Sequence, residues 1–306
     1  MKIFKKSILI FIFLLFPLNL FLLMGSSITV NYPLTIIDDT GTAVTIPQEP
    51  QRIISTAPSN TEILFALGLQ KKIVGITNYC NFPEETKNIE KIGEMTPLNL
   101  EKIISLYPDL ILAYPGLQLK EIQRLRELGL SVIALDPLTL EDTFKSVKMI
   151  ANICGISEKG SLLVDNLTQR VNIIKSKVLK IPISVRPKIF VGSTFETIFT
   201  PGAGTLFHEL ITLAGGENIA AGLSFWKKVS PEFVAQAEPD IIIVPVGAMN
   251  QGEESKIKRD LSQHPGWSNI PAIKNQKIFI VNEDLFYRAV PRLVDGLELL
   301  YGIFYE

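Results

Sequence analysis

Thr96–Gly116 reads TPLNLEKIISLYPDLILAYPG: a capped helix, a turn and a buried strand in succession. Asn99 is a good N-cap, and Glu101 puts a carboxylate in the first turn, where it complements the helix dipole. Ile103, Ile104 and Leu106 supply an apolar face. Pro108-Asp109 stops the helix and turns the chain. LILAY is a short apolar run of the kind found in strands covered on both faces. The same unit recurs at Val229–Gly247, VSPEFVAQAEPDIIIVPVG. There Ser230 is the cap, Pro231 takes the first helical position, Pro239-Asp240 is the turn and IIIVPV the strand. Glu101, Pro108 and Asp109 reappear as Glu232, Pro239 and Asp240 at a single offset of 131 residues. Three matches in one register predict two lobes built alike.

Working outward, strands and helices alternate on both sides of these units. LTIIDDTGTAVTIP (34–47) reads as a hairpin around Asp-Asp-Thr-Gly. QRIISTAP begins a first lobe with a strand, and Ser59-Asn60 is read as the cap of the helix TEILFALG, with Gly68 as its stop. KKIVGIT, LILAY and SVIALD are further strands, and LKEIQRLRELG and LTLEDTFKSVKMIANICG further helices. The expected first lobe, 34–155, is therefore a mostly parallel sheet flanked by helices. Over 157–180, Leu163, Leu167, Val171, Ile174 and Val178 recur at helical spacing, so one helix about 35 Å long is expected to join the lobes. The alternation restarts in a second lobe, 187–306. There ETIFTPGAGT and NIAAGLSFWKK read as loops and LFHELITLAGG as a helix. The fold class expected is α/β, two similar lobes joined by one long interdomain helix.

At 306 residues the chain has room for two lobes of ordinary size. Its formal net charge of −1 gives no case for nucleic acid. MKIFKK followed by SILIFIFLLFPLNLFLLMG and small residues reads as an export signal over 1–27, with a retained membrane anchor through residues 7–24 as the competing reading. Either places the bulk of the protein outside the cytoplasm, in the periplasm or its equivalent. The first cysteine is Cys80, which leaves no cysteine for a lipid anchor near the N-terminus. Cys80 and Cys154 are few for an exported chain, and buried free thiols are expected before a disulfide.

The chemistry on offer is thin for an enzyme. Only His208 and His264 are present, neither at metal-ligand spacing, and no nucleophile elbow, P-loop or zinc-protease motif occurs. No metal and no cofactor are expected. GAGT (202–205) is a weak phosphate signal and reads first as a turn. More informative are aromatic residues at strand ends and loops: Tyr79, Tyr114, Phe199, Trp226, Phe286 and Tyr287. Singly each reads as packing; together they could line a cleft suited to a large, flat, partly apolar ligand. Asp284 and Arg288 share a loop with them and either bond a ligand at the cleft mouth or pair with each other. Glu101 and Glu232 are ordinary first-turn glutamates, and also matched carboxylates, one per lobe, that a partner with two basic pockets could grip.

RIISTAPSNTEILFALGL, IVGITNYCNFPEE and LNLEKIISLYPDLILA resemble the periplasmic substrate-binding proteins of ABC importers for vitamin B12 and iron chelates, and the likeness runs from about residue 34 to 300. The B12 branch is the nearer. Tyr79, Phe82 and Pro83 match its loop after the second strand; Trp226, Val229, Ser230 and Glu232 match a W-x-x-V-S-x-E run; Asp284, Phe286, Arg288, Pro291 and Arg292 match a late run. The resemblance implies two lobes on one long helix with little hinge closure. Tyr79, Tyr114, Phe199 and Trp226 would contact a corrin ring, Asp284 and Arg288 would bond its amide periphery, and Phe286 would belong to the same ligand-binding set. Glu101 and Glu232 would dock on arginines of a transmembrane permease dimer. Met95 and Leu285 depart from the B12 pattern, where aromatic residues can stand, and the cysteine positions differ from its disulfide pair.

The expected function is a non-enzymatic carrier, monomeric when free, that holds cobalamin as transported cargo and delivers it to an ABC importer. Within transport the alternative is an iron-siderophore or haem carrier, which would favour an arginine-rich cleft. From a different class, a membrane-tethered sensor or interaction protein would use the N-terminal run as its anchor.

Overall fold

The computed structural model describes residues 30–192, 198–247 and 252–306; the export signal or anchor read over 1–27 lies outside them. The described strands are β1 (Leu34–Ile37), β2 (Ala43–Ile46), β3 (Ile53–Ser55), β4 (Ile73–Ile76), β5 (Leu110–Ala113), β6 (Val132–Ala134), β7 (Lys188–Val191), β8 (Ile198–Pro201), β9 (Glu217–Asn218), β10 (Trp226–Val229), β11 (Ile241–Val246) and β12 (Ile278–Asn282). The helices are α1 (Pro58–Ala66), α2 (Leu100–Ser105), α3 (Pro115–Glu127), α4 (Leu140–Ile153), α5 (Ser157–Val178), α6 (Leu206–Leu213), α7 (Pro231–Ala237), α8 (Glu254–Ser262), α9 (Pro271–Lys274), α10 (Asp284–Tyr287) and α11 (Leu293–Tyr305). Among them no helix is long and apolar enough to cross a membrane.

Two four-stranded sheets carry the molecule, ordered β4-β3-β5-β6 and β9-β7-β11-β12, and all their pairings are parallel. They are the same arrangement twice. The repeat found in the sequence sits at the same place in each: Leu110 pairs with Ile53, and Ile241 with Ile189. Side chains alternate across β5, so Leu110 and Leu112 pack with α1 and α4, while Ile111 and Ala113 pack toward α2 and α3. In β11, Ile241 and Ile243 face α6 and α11, while Ile242 and Val244 face α7, α8 and Trp267. A strand buried on both faces can carry an unbroken apolar run, which is why LILA and IIIV look as they do.

The caps and turns repeat too. Asn99 Oδ1 accepts from the Lys102 amide at 2.9 Å, and Ser230 Oγ from the Phe233 amide at 3.2 Å. The carboxylate of Asp109 accepts the Gln51 and Arg52 amides at 2.8 and 2.9 Å; that of Asp240 accepts the Lys188 amide at 2.8 Å. A fourth match shows only in three dimensions. Tyr107 and Glu238, again 131 apart, both adopt left-handed backbone, with φ of 48° and 50°. The residue before proline is disfavoured in the right-handed helical region, so each helix ends there with a reversal.

α5 joins the two sheets. Val164 belongs to the first lobe's core, while Leu167, Val171, Ile174 and Val178 belong to the second's, so this 22-residue helix changes cores within one turn. The Leu140 amide, at the start of α4, donates to Glu209 Oε2 of α6 at 2.9 Å and ties the lobes on the same side.

Three local expectations are corrected. The segments read as loops at ETIFTPGAGT and NIAAGLSFWKK contain β8 and β10, paired antiparallel as a separate ribbon, with Trp226 opposite Pro201 and Lys228 opposite Phe199. Two strands with no third neighbour lack the apolar alternation that a sheet imposes, so the pattern was too weak to read. α1 begins at Pro58 with Ala57 as N-cap; Ser59 and Asn60 lie inside the helix and do not cap it. Proline at the first helical position supplies the start instead. Within the loop NEDLFYRAVPR, Asp284–Tyr287 forms one helical turn. Cys80 and Cys154 are free and buried in the same core, and burial pushes the Cys154 thiol up to about 12.

Candidate functional site

Both sheets present the C-terminal ends of their strands to one cleft between the lobes, the place where open α/β sheets receive ligands. The chain leaving β3 brings Ala57, Pro58 and Ser59. Tyr114 follows β5, and Leu135, Asp136, Pro137 and Leu138 follow β6. From the second lobe come Thr205 to Phe207 at the start of α6, Phe225 and Trp226 at the ribbon, and Phe286 to Ala289 after β12. The cleft encloses about 650 Å³, within the range of small-molecule sites.

Its second-lobe wall is aromatic and layered. Phe286 is fully buried and stacks on Phe207, with centroids 4.5 Å apart and planes 9° from parallel. Tyr287 packs edgewise on Phe207 at 6.0 Å, and Trp226 edgewise on Tyr287 at 5.1 Å. Offset and edge-on arrangements are the favoured ones for ring quadrupoles. The wall therefore grades from a buried base, Phe207 and Phe286, to an exposed rim, Trp226 and Phe225. Burial raises the Tyr287 phenol well above its ordinary value.

The ribbon holds this rim through backbone pairing. The Gly202 amide donates to the Phe225 carbonyl at 2.9 Å, and the Phe225 amide to the Ala203 carbonyl at 2.8 Å. Any Cβ at Gly202 would lie 2.2 Å from the Leu223 carbonyl oxygen, so only glycine fits. This accounts for GAGT, which is a packing turn. Phe225 itself has φ of 54°, a conformation costly for a non-glycine residue, held by those bonds on either side.

The first-lobe wall is different. Met95, Tyr114, Leu135, Pro137 and Leu138 are mostly apolar but present a single ring, Tyr114, and one charge, Asp136. Burial, then Asp39, raises the Asp136 carboxyl above its ordinary value; burial, then Asp136, raises the Tyr114 phenol.

Arg288 is the cation lining this cleft among the described residues, and it is engaged. Its guanidinium meets Glu62 Oε1 at 3.0 Å, Asp284 Oδ1 at 2.7 Å and Asn81 Oδ1 at 2.7 Å. Arg292 adds a bond from Nε to Glu62 Oε2 at 2.7 Å and lies over the Phe82 ring, 3.7 Å from its centroid. Glu62 of α1 is 4% exposed. One buried carboxylate of the first lobe thus takes two arginines of the second. This pins the loop Asn81–Pro83 to the chain around α10 and the start of α11, and it sits between the cleft and a second cavity of about 350 Å³ lined by Phe65, Phe82 and Pro291.

Of the residues expected at the site, the structure brings Tyr114, Trp226, Phe286, Tyr287 and Arg288 to the cleft. Phe286 forms its base with no exposed surface. Tyr79 is half exposed, held to Glu94, and lies outside the residues lining the cleft. Phe199, on β8, is half exposed, and Asp284 is occupied by Arg288; neither lines the cleft. Glu101 and Glu232 are exposed in the first turns of α2 and α7, and the Ser230 hydroxyl holds the Glu232 carboxyl below its usual value. Sequence reasoning did not assign Met95, Asp136, Phe207, Phe225 or Glu62 to the site. The signal for Glu62 was present: a carboxylate set in the apolar helix TEILFALG, with two arginines in one late loop. His208 is half-buried against Asn218, and His264 is half-buried against Trp267. No group able to hold a metal ion occurs among the described residues.

Residues 53–285 match the family described as periplasmic binding protein. The chain is 35% identical over 274 residues to the ABC transporter substrate-binding lipoprotein YvrC of Bacillus subtilis, covering 88% of this chain and 84% of that one. It is 30% identical over 245 residues to the vitamin B12-binding protein of Salmonella typhimurium, covering 79% and 86%. Among solved structures, the periplasmic heme-binding protein RhuT of Roseiflexus superposes with a TM-score of 0.73 at 27% identity, covering 83% and 98%. Two like-wound sheets on one helix, a cleft at their strand ends and these relationships agree: the chain belongs to the periplasmic binding protein family.

Proposed function

We propose that this protein is an extracytoplasmic substrate-binding component of an ABC importer, and that its cargo is a corrinoid of the vitamin B12 type, held between the lobes and delivered to the permease. The observation that carries the cargo is the pairing of a graded aromatic wall with a cleft whose described cation is already neutralised. Tyr287 and Trp226, backed by the buried Phe207 and Phe286, offer an apolar face to a flat macrocycle, while Arg288 is bound to Glu62 and Asp284. A ligand rich in neutral amides suits such a site; a polyanionic iron chelate would need free arginines.

Haem is the second reading. The solved heme-binding relative supports it, as do the two phenols lining the cleft, Tyr114 and Tyr287, because tyrosine oxygen can ligate haem iron. Calorimetric titration with cyanocobalamin, haemin and a ferric siderophore in parallel separates these. Saturable one-to-one binding of cyanocobalamin is expected. Binding of haemin or siderophore alone would keep the carrier and replace the cargo; heat from none of the three would sink the cleft as a site for these ligands.

For the permease, Glu101 and Glu232 are the proposed contacts: exposed, at equivalent places, one per lobe. Glu101→Gln and Glu232→Gln should leave ligand affinity unchanged and each reduce ligand-stimulated ATP hydrolysis by the reconstituted importer. Unchanged stimulation in the double variant would remove them from the interface.

A further inference from the structure

We propose that Asp136 sets the charge class of the ligand: it accepts a hydrogen bond from a neutral or cationic N–H group in the cleft and rejects anionic ligands. The inference deepens the corrinoid reading and rests on it. Its first support is position. Asp136 is the last residue before Pro137 in the turn after β6, it lines the cleft from the first-lobe side, and it is partly buried. The second is fixation. Its backbone amide donates to Asp39 Oδ2 at 2.7 Å, so the hairpin between β1 and β2 clamps the turn that carries it.

The third support is the absence of a cation to neutralise it among the described lining residues. Arg288, the cation there, is committed to Glu62, Asp284 and Asn81. The charged neighbour acting on Asp136 is Asp39, a second carboxylate, and the nearby Tyr114 phenol feels Asp136 in turn. An acid in such surroundings gains by accepting from an amide N–H and repels an incoming carboxylate, which is specificity by exclusion as well as attraction. The aromatic wall supplies affinity for any flat macrocycle; Asp136 distinguishes an amide-fringed one from a carboxylate-fringed one.

The test titrates wild type, Asp136→Asn and Asp136→Glu with cyanocobalamin, whose periphery carries amides, and with haemin, whose periphery carries carboxylates. Thermal melting of each variant reports folding. Asp136→Asn should weaken cyanocobalamin by about tenfold and strengthen haemin by about as much, the range expected for one charged hydrogen bond gained or lost. Asp136→Glu, which keeps the charge, should still reject haemin. Affinities within twofold of wild type for both ligands in Asp136→Asn would overturn the inference while leaving the corrinoid reading standing. Failure of wild type to bind cyanocobalamin would overturn the corrinoid reading; the haemin arm would still read Asp136, since a gain on neutralisation supports the charge filter and no gain rejects it.

Discussion

The first lobe passes from β3 to α1 through two residues, Thr56 and Ala57; the second passes from β7 to α6 through residues 192–205 and uses them to build β8. Three other features of this pair of crossovers are alike: both strands lie second in the sheet order, both helices follow on the same face, and both lead toward the cleft. The extra length, with β10 as its partner, gives the second lobe an exposed aromatic rim. The first lobe, lacking it, offers helix starts, Met95, Tyr114 and an acid. A duplicated scaffold therefore carries unequal walls. The sheets are constrained by burial on both faces, while connections at strand ends are free to change length and chemistry without disturbing the core.

Breaking the contact between the lobes should have the largest effect. Glu62→Ala leaves Arg288 and Arg292 facing each other without their shared carboxylate, at a cost of about 3–5 kcal/mol for a buried pair broken from one side. Denaturant unfolding followed by fluorescence should also separate into two transitions as the lobes lose their mutual support. A single transition at the wild-type midpoint would show that the contact does not couple them.

The equivalent turn aspartates test how alike the lobes are. Asp109 caps two amides and Asp240 one, so Asp109→Ala should cost about 2–3 kcal/mol and Asp240→Ala about half of that. Equal losses would mean that the second amide on Asp109 contributes nothing.

The unequal walls are tested by ligand affinity. Trp226→Ala, at the exposed rim, should weaken cyanocobalamin binding about tenfold or more with little change in melting temperature. Tyr79→Ala, outside the cleft lining, should change it less than threefold, roughly the 0.6 kcal/mol of a peripheral contact. The reverse order would move the ligand toward the first lobe.

Alkaline pH should have the smallest effect, and part of it comes from the first lobe. Tyr32 and Cys154 are both raised to about 12, chiefly by burial, from 10.0 and 9.0. Their protonated forms are favoured in the folded state. The stability they contribute is full below pH 9 and is lost as pH rises through about 12. Tyr32 donates to the Ile153 carbonyl at 2.7 Å and is only half-buried, so solvent screens part of its share. Tyr32→Phe should flatten the melting temperature between pH 10 and 12; an unchanged slope would assign the alkaline loss to the other raised groups, Cys154 and Tyr287 among them.

Much of the fold was legible because it rests on local chemistry repeated twice. Asn99 and Ser230 as caps, Pro108-Asp109 and Pro239-Asp240 as stops, and unbroken apolar strands each announce themselves within a few residues. The site was legible only where a strand end carries a large ring, as at Tyr114 and Trp226. Asp136 was hidden inside SVIALD, where a terminal Asp before proline reads as ordinary turn chemistry. Phe225 was hidden in a loop whose pairing with Gly202 and Ala203 spans more than twenty residues. Arg288 and Asp284 were read as a ligand pair or a local ion pair, and the structure adds a third party, Glu62, from the other lobe.

The sequence by itself determined that there are two α/β lobes of one design, most of the segments that form their sheets, though not the two-residue edge strand β9, and which helix joins them, because periodicity, caps and turn residues act over short distances. Only the tertiary structure decided which residues share the cleft and which charges are already spent. Glu62 lies 226 residues from Arg288 and Tyr114 more than a hundred from Trp226. Their meeting depends on how two sheets pack across α5, a relation that no local pattern encodes.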